Sequence, residues 1–245
     1  MMGKHQMLDT TINRPTTSSS AAYAFFDVDD TLIAVKSLLS FQEYWYNWSN
    51  DLAGYAVYRQ EIQELLAQEA PWEYVNRRYY AYFTGRKVVD VERCASAWFS
   101  DLESGMKLKG QSLFHSAVVQ RLQQHRARGD EIVLVSGSFP LLLQPIATRL
   151  QVQHILAIRQ QVVNGQFTGH ILPPQTIGQG KADAIAEFLR DKSVLAEQCS
   201  AYGDDISDAP MLSCVGYPVV IQGGRQLEAY AQQFGWPVIH PVMTE

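Results

Sequence analysis

Residues 24–32 read AFFDVDDTL, a short apolar run that ends in three carboxylates within four residues. Residues 24–26 have the composition of a strand that is buried on both faces of a sheet. In open α/β sheets ligands bind beyond the carboxyl ends of the strands, whereas a carboxylate buried without a partner is costly. The pattern therefore predicts a strand that leads directly into a metal site.

Side chains alternate along an extended segment, so we expect Asp27 and Asp29 to face one pocket while Val28 points into the packing. Aspartates at strand ends also cap helices and turns, and the spacing alone leaves that interpretation open.

The chain has 245 residues, a formal net charge of −5 and a pI of about 5.7. Surfaces that bind nucleic acid concentrate positive charge, so a small-molecule partner is expected instead. The three cysteines, Cys94, Cys199 and Cys214, are far apart and in no C-x-x-C spacing. Such usage is typical of a reducing compartment, without structural disulfides or zinc.

Residues 1–22 are polar, rich in Ser and Thr, and lack the apolar core of a signal peptide. They are predicted to be a flexible leader. No later segment reads as long and apolar enough to span a bilayer. We therefore expect a cytoplasmic protein that does not bind membranes.

Residues 37–111 are predicted to form an all-helical insert of about four helices. Apolar residues recur there at helical spacing, for example Leu38, Phe41 and Trp45. Most of the tryptophans and a tyrosine cluster also fall in this region, and they are expected to form its core and part of a pocket roof. An aromatic patch for a membrane or a dimer is the alternative.

Residues 23–36 and 112–245 are predicted to form an α/β core in which strands alternate with helices. Helices are expected to begin at Pro140 and near Gly180. Residues 162–168 are predicted to form a hairpin around Asn164-Gly165. The further predicted strands are residues 131–135, 154–158, 200–202, 217–221 and 236–239. Strands separated by helices predict a parallel, doubly wound sheet.

Polar clusters follow these strands or begin a helix, and in chain order they are Asp27 with Asp29, Ser136, Lys181, and Asp204 with Asp208. They resemble the four motifs of the haloacid dehalogenase superfamily, whose phosphatases carry D-x-D-x-T, then Ser or Thr, then Lys, then G-D-x-x-x-D. The helical insert between the first two motifs resembles the cap of the phosphoserine-phosphatase-like branch. The sequences VSG at 135–137, GKA at 180–182 and YGD at 202–204 support that branch.

The resemblance implies a phosphatase in which Asp27 is the nucleophile and Asp29 the general acid and base. Lys181 and Ser136 would bind the transferring phosphoryl group. Among residues near the substrate, Thr31 would order the loop.

The implied cofactor is Mg²⁺, because a phosphate dianion beside several carboxylates would otherwise be repelled. Its ligands would be Asp27, the backbone carbonyl of Asp29, and Asp204, with Asp208 as a direct or indirect ligand. Backbone donors near Gly137 would add to the phosphate site.

Lys36 is expected to affect specificity. In the phosphoserine phosphatases that the chain resembles, a Glu nine residues after the nucleophile pairs with the ammonium group of the substrate, and here that position holds Lys36. The reversed charge predicts that phosphoserine is a poor substrate and that an acidic or uncharged polyol phosphate fits better. Arg77 or Arg78 would bind a carboxylate. The alternative is that Lys36 is a solvated hinge residue without substrate contact.

The leading prediction is a Mg²⁺-dependent phosphomonoesterase that hydrolyses a small-metabolite phosphate ester through an aspartyl-phosphate. A phosphotransferase or mutase on the same scaffold is an alternative. A catalytically idle binding protein is another, although it would be expected to have lost Asp27 or Lys181. Monomer and homodimer are both left open. Asp30 and Asp205 depart from the family pattern and add negative charge near the metal.

Overall fold

A computed structural model describes residues 22–224 and 226–242 of the protein. The strands in these ranges are β1 (Tyr23–Phe26), β2 (Glu131–Ser136), β3 (His154–Ala157), β4 (Arg159–Val163), β5 (Gln166–Leu172), β6 (Ser200–Gly203), β7 (Tyr217–Ile221) and β8 (Val238–Ile239). Six of them form one sheet in the order β3-β2-β1-β6-β7-β8, and all neighbouring pairs are parallel.

The α-helices in the same ranges are α1 (Ser37–Trp48), α2 (Leu52–Ala67), α3 (Trp72–Ala81), α4 (Val88–Leu108), α5 (Ser116–Ala127), α6 (Pro140–Leu150), α7 (Gln179–Leu189), α8 (Ala209–Ser213) and α9 (Leu227–Phe234). Helices α5 and α6 pack on one face of the sheet, and α7, α8 and α9 pack on the other. The predicted doubly wound α/β fold is confirmed.

Strand β1 is apolar throughout because both of its faces are covered. Tyr23 and Phe25 belong to the core on the α7 side, whereas Ala24 and Phe26 belong to the core on the α5 side. None of the four is more than 6% exposed. Its position at the centre of the sheet brings the residues after Phe26 to the middle of the carboxyl edge.

Helices α1 to α4, here called the helical insert, lie between β1 and α5 in the chain. As expected, aromatic residues form much of their core: Phe41 contacts the rings of Phe83 and Trp98, and also that of Phe139 from the loop before α6. The predicted division of the chain into leader, core and cap stays a prediction.

The predicted hairpin forms, but it is longer than expected and pairs with the helical insert. Strands β4 and β5 are antiparallel, and Asn164 and Gly165 both have positive φ angles, as a tight hairpin turn requires. Backbone hydrogen bonds join Gly85 N to Phe167 O at 2.8 Å and Val88 N to Gly165 O at 2.9 Å. The hairpin is therefore fixed to the loop between α3 and α4.

Two boundaries differ from the expectations. Ala22, placed in the leader by sequence, is buried, and its carbonyl accepts a hydrogen bond from Glu131 N. The last strand is only Val238–Ile239, since Trp236 instead packs against Tyr230 and Phe234. Residues 1–21 lie outside the described part. Across the described ranges, no helix combines the length and the apolar character needed to cross a bilayer.

Candidate active site

Asp27 and Asp29 leave β1 through a tight turn. Asp27 N still donates to Tyr202 O at 2.9 Å, so the chain stays extended up to this residue. Beyond it, the amides of Leu32 and Ile33 both donate to Val28 O. Asp30 makes the turn with a φ of 62°, a conformation that Asp tolerates better than most residues. The turn keeps both Asp27 and Asp29 at the edge of one cavity.

The carboxyl group of Asp29 lies in an unfavourable place for charge. Its Oδ1 is buried and has no hydrogen-bond partner among the described residues. Burial, together with the charge of nearby Asp27, raises the pKa of Asp29 to about 7. A carboxyl group with that pKa exchanges a proton readily near neutral pH, as a general acid and base must.

Asp204 and Asp208 follow the neighbouring strand β6. Gly203 permits their close packing, because a Cβ at that position would lie 2.6 Å from Asp208 Cβ. Asp208 Oδ2 accepts the amides of Asp204 and Asp205 at 3.1 and 3.2 Å. The loop therefore holds Asp208 in one orientation, with its other oxygen directed at Lys181.

Lys181, in the first turn of α7, is buried between two acids. Its Nζ donates to Asp27 Oδ1 and to Asp208 Oδ1, both at 2.6 Å. Burial favours the neutral amine, but the charges of Asp208 and Asp27 outweigh it and raise the pKa of Lys181. The residue is therefore a fixed positive charge at the site.

Three carboxylates form a cluster that suits a divalent cation. One oxygen from each of Asp27, Asp204 and Asp208 lies within 4.8 Å of the others, and all three residues are buried. Burial and the charges of Asp27 and Asp208 raise the pKa of Asp204, as expected where negative charges crowd together. Hard oxygen donors in this arrangement match Mg²⁺ or Ca²⁺. The carboxyl group of Asp29 is not part of the cluster. The expectation that Asp29 binds the cation through its backbone carbonyl stays a prediction.

Ser136 and Gly137 follow β2 and line the same cavity. Ser136 Oγ accepts the amide of Ser138 at 3.0 Å, which leaves the hydroxyl proton free to point elsewhere. The carbonyl of Gly137 accepts from Asn76 Nδ2 at 3.1 Å and from Tyr80 OH at 2.9 Å. Two residues of α3 thus hold the peptide that positions Ser136.

The cavity has a volume of about 230 Å³ and lies between the carboxyl edge of the sheet and the helical insert. The predicted site residues that line it are Asp27, Asp29, Lys36, Ser136, Gly137, Lys181, Asp204 and Asp208. A wider hollow of about 660 Å³ beside β7 and β8 contains none of them. The smaller cavity is therefore the candidate active site.

Two predicted substrate residues lie elsewhere. Thr31 is fully buried, and its hydroxyl donates to Asp204 Oδ1 at 2.7 Å, so it orders an acid of the cluster and does not face substrate. Arg78 does not line the cavity, and its guanidinium pairs with Glu61 of α2 at 2.5 Å. Arg77 donates to Gln175 Oε1 at 2.6 Å.

Lys36 lines the cavity, but its charge is shared with a neighbour. Its Nζ lies 2.9 Å from Asp30 Oδ2, and its side chain is 46% exposed. Burial lowers the pKa of Lys36, but Asp204, Asp30 and Asp27 raise it by more. Asp30 and Lys36, which both depart from the family pattern near the first motif, therefore form an ion pair with each other.

The family model of haloacid dehalogenase-like hydrolases matches residues 24–213 of this chain. The chain belongs to this family. The chain is also 29% identical over 221 residues to a "Probable phosphatase" of Mycobacterium tuberculosis, covering 88% of this chain and 74% of the relative. A "Phosphoserine phosphatase" of the same organism is 27% identical over 224 residues, covering 89% and 70%.

A solved structure shows that this fold occurs in another protein. A Bordetella pertussis protein of unknown function superposes with a TM-score of 0.79 at 21% identity, covering 91% of this chain and 100% of that one. The predicted resemblance to haloacid dehalogenase-like hydrolases and their phosphoserine-phosphatase-like branch is confirmed, as is the prediction of a hydrolase.

In this haloacid dehalogenase-like hydrolase, the tyrosines of α3 were expected in a pocket roof, but sequence reasoning singled out neither Val75 nor Asn76 for the site. Val75, Asn76 and Tyr79 line the cavity, and Tyr80 reaches Gly137 from the same helix. Residues 72, 75, 76 and 79 have the spacing of one helical face. That periodicity was the available signal, and it places Arg77 and Arg78 on other faces.

Proposed function

We propose that the protein is a Mg²⁺-dependent phosphomonoesterase that works through an aspartyl-phosphate on Asp27. The observation that carries this proposal is the convergence of a nucleophile, a proton carrier and a fixed cation on one cavity. Lys181 Nζ donates to Asp27 Oδ1 at 2.6 Å. Asp29, whose pKa is raised to about 7, lies near Asp27. The family and its relatives named as phosphatases support the same reaction.

In the first step, an oxygen of Asp27 attacks phosphorus and the bond from phosphorus to the ester oxygen breaks. Protonated Asp29 gives its proton to the departing alkoxide. Ser136 donates a hydrogen bond to a phosphoryl oxygen, and Lys181 offsets the negative charge. Bound Mg²⁺, held by Asp27, Asp204 and Asp208, would supply further positive charge against the phosphoryl group.

In the second step, Asp29 takes a proton from water, and the resulting hydroxide attacks phosphorus. The bond between phosphorus and Asp27 then breaks, which releases inorganic phosphate and restores the nucleophile. The carboxyl group of Asp29 is protonated again at the end, so atoms and charges balance over the cycle.

The test of this function is phosphate release from ethyl phosphate and an aryl phosphate in Mg²⁺. Asp27→Asn should remove turnover without changing the fold, because an amide is not a competent nucleophile. Asp183→Asn is a matched control, since Asp183 contacts Gln179 on the outer side of α7 and does not line the cavity. Substantial turnover by Asp27→Asn would contradict the covalent mechanism.

Lys36 provides a proposal about specificity. A lysine on the cavity wall repels the ammonium group of phosphoserine, and we propose that phosphoserine is a poor substrate. The ion pair with Asp30 weakens this repulsion without removing it. Lys36→Glu should raise kcat/KM for phosphoserine relative to ethyl phosphate. An unchanged ratio would exclude Lys36 as a specificity residue.

A further inference from the structure

The cavity above the carboxylates has two unlike ends. The end at the sheet contains the acids, Lys181 and Ser136. The end formed by the helical insert is lined largely by apolar and aromatic side chains, namely Leu38, Leu39, Ile62, Leu66, Trp72 and Val75. Among the residues that the structure describes, no acid and no arginine of α1, α2 or α3 lines this wall.

Two polar side chains on this wall are already engaged within the protein. Asn76 Nδ2 donates to Gly137 O at 3.1 Å, and Asn76 Oδ1 accepts from Gln175 Nε2 at 3.0 Å. The hydroxyl of Tyr79 donates to the carbonyl of Leu38. A leaving group that projects from the phosphate toward α3 therefore meets mainly hydrocarbon.

The apolar wall continues to the surface. Leu39 of α1 and Leu66 of α2 both line the cavity, yet they remain 43% and 41% exposed. A single exposed leucine is ordinary, but two on the rim of one cavity extend its apolar lining into solvent. If a bound substrate is longer than the cavity, the part that extends beyond the rim can therefore still contact apolar surface.

We propose that the substrate is the phosphate monoester of a hydrophobic alcohol, whose alkyl or aryl body packs against α1, α2 and α3. This inference rests on the proposed phosphatase function and narrows it. A polyol would lose its hydration against this wall without gaining hydrogen bonds, which is unfavourable. No lysine or arginine in the described residues of α1, α2 or α3 lines this wall, so a second anionic group would find no positive partner on it.

The first experiment measures kcat/KM in Mg²⁺ for ethyl, butyl and octyl phosphate, each below the concentration at which it aggregates. Phenyl phosphate represents an aryl alcohol, and glycerol phosphate is the polyol control. We expect kcat/KM to rise by up to about fourfold for each methylene that the cavity buries. Butyl phosphate should exceed glycerol phosphate. A flat or falling alkyl series, or a preference for glycerol phosphate, overturns the proposal.

Phenyl phosphate distinguishes the two kinds of apolar body. Because phenol is a better leaving group than ethanol, the ratio of kcat/KM for phenyl over ethyl phosphate is compared between the wild type and Leu66→Gln. A lower ratio in Leu66→Gln supports a cavity that accepts aromatic alcohols as well as alkyl chains. An unchanged ratio, with a rising alkyl series, supports the proposal for alkyl chains alone and overturns its aryl part.

The second experiment compares two leucines of α2. Leu66→Gln places an amide on the cavity wall, whereas Leu52→Gln makes the same change at a residue that is 61% exposed and does not line the cavity. The ratio of kcat/KM for octyl over ethyl phosphate should fall roughly tenfold in Leu66→Gln, because apolar contact is lost. It should stay unchanged in Leu52→Gln. Equal ratios in the two variants overturn the proposal.

The outcomes separate this inference from the function on which it rests. Hydrolysis of every ester at similar kcat/KM overturns the hydrophobic substrate and leaves the phosphatase intact. No hydrolysis of any ester by the wild-type protein in Mg²⁺ overturns the proposed function, and this inference falls with it.

Discussion

The environment of Asp29 favours the protonated form of its carboxyl group over the charged form. Its Oδ1 is buried without a hydrogen-bond partner among the described residues, and Asp27 lies close by. The folded protein therefore binds a proton at Asp29 more tightly than the unfolded chain does. Asp29 contributes stability fully below its ordinary pKa of 3.8 and loses it as pH rises through about 7.

We predict that Asp29→Asn flattens the dependence of the unfolding free energy on pH. Between about pH 4 and pH 7 the wild type should lose at most about 4 kcal/mol through this residue, whereas Asn does not titrate. Urea unfolding in chelator at several pH values measures the effect. Parallel pH profiles for the two proteins would show that Asp29 is solvated like an ordinary carboxylate.

Thr31 acts on the carboxylate cluster through Asp204. Its hydroxyl donates to Asp204 Oδ1 at 2.7 Å in a fully buried position. We predict that Thr31→Val weakens cation binding by about 10-fold or more, because partners that orient a ligand carboxylate tune its affinity. Calorimetric titration with Mg²⁺ measures this. Thr31→Ser keeps the hydroxyl and should retain most of the affinity, and equal affinities for Val and Ser would contradict the role.

The sequence identified the acids of the site because each follows an apolar strand, but it did not show which of them contact one another. Asp30 and Lys36 were noted separately, but they form a 2.9 Å ion pair, and Asp30 lies in a turn with a left-handed φ. Thr31 was expected to order the loop near the substrate, but its hydrogen bond to Asp204 could not be read from the motif. Such contacts depend on turn geometry, which a motif does not encode.

At the scale of elements, helix α3 shows why the insert was the harder part. The charge of its arginines suggested that α3 binds a carboxylate group of the substrate. The buried face of the helix is instead formed by Val75, Asn76, Tyr79 and Tyr80. Arg78 instead pairs with Glu61 of α2. The packing of one helix on another decides which face meets the cavity, and the sequence predicts only that such a face exists.

Helix α3 also supports the phosphate site from a distance. Asn76 and Tyr80 hold the carbonyl of Gly137, and the same peptide unit gives its amide, at Ser138, to Ser136 Oγ. We predict that Tyr80→Phe lowers kcat about tenfold, because the loss of one donor lets this peptide reorient.

A double-mutant cycle tests this positioning role. In a Ser136→Ala background, Tyr80→Phe should cost little further activity, since the hydroxyl that it positions is gone. Tyr82→Phe is the matched control, because the Tyr82 hydroxyl contacts Glu61 and Tyr82 does not line the cavity. Additive losses for Tyr80 and Ser136 would show that Tyr80 does not act through Ser136.

At the scale of the whole molecule, the sequence predicted the sheet well, because alternating strands and helices leave few topologies open. It could not predict that the hairpin pairs with the α3–α4 loop, since backbone hydrogen bonds between residues as far apart as Gly85 and Phe167 follow from the tertiary fold. The strand predicted at 236–239 was also too long, because Trp236 packs with Tyr230 and Phe234.

Cation binding should stabilise the entire fold, because the ligand carboxylates come from two central strands. We predict that Mg²⁺ raises Tm. At a Mg²⁺ concentration 100 times Kd, the free energy of unfolding should rise by about 2.7 kcal/mol. Asp204→Asn should remove most of this shift, which differential scanning calorimetry measures. Sodium chloride at the same ionic strength is the control. An equal rise in Tm for both proteins would indicate a general salt effect.

The attachment of the hairpin to the loop before α4 limits how this enzyme can be recombined with its relatives. A transplant of residues 37–111 alone would require the amides of Gly85 and Val88, which here donate to Phe167 O and Gly165 O, to pair with the hairpin of another protein. It would also separate the ring of Phe83 from that of Phe167. The unit that exchanges intact is discontinuous in the chain, and a chimera that moves both the insert and residues 159–172 should fold where one that moves the insert alone aggregates.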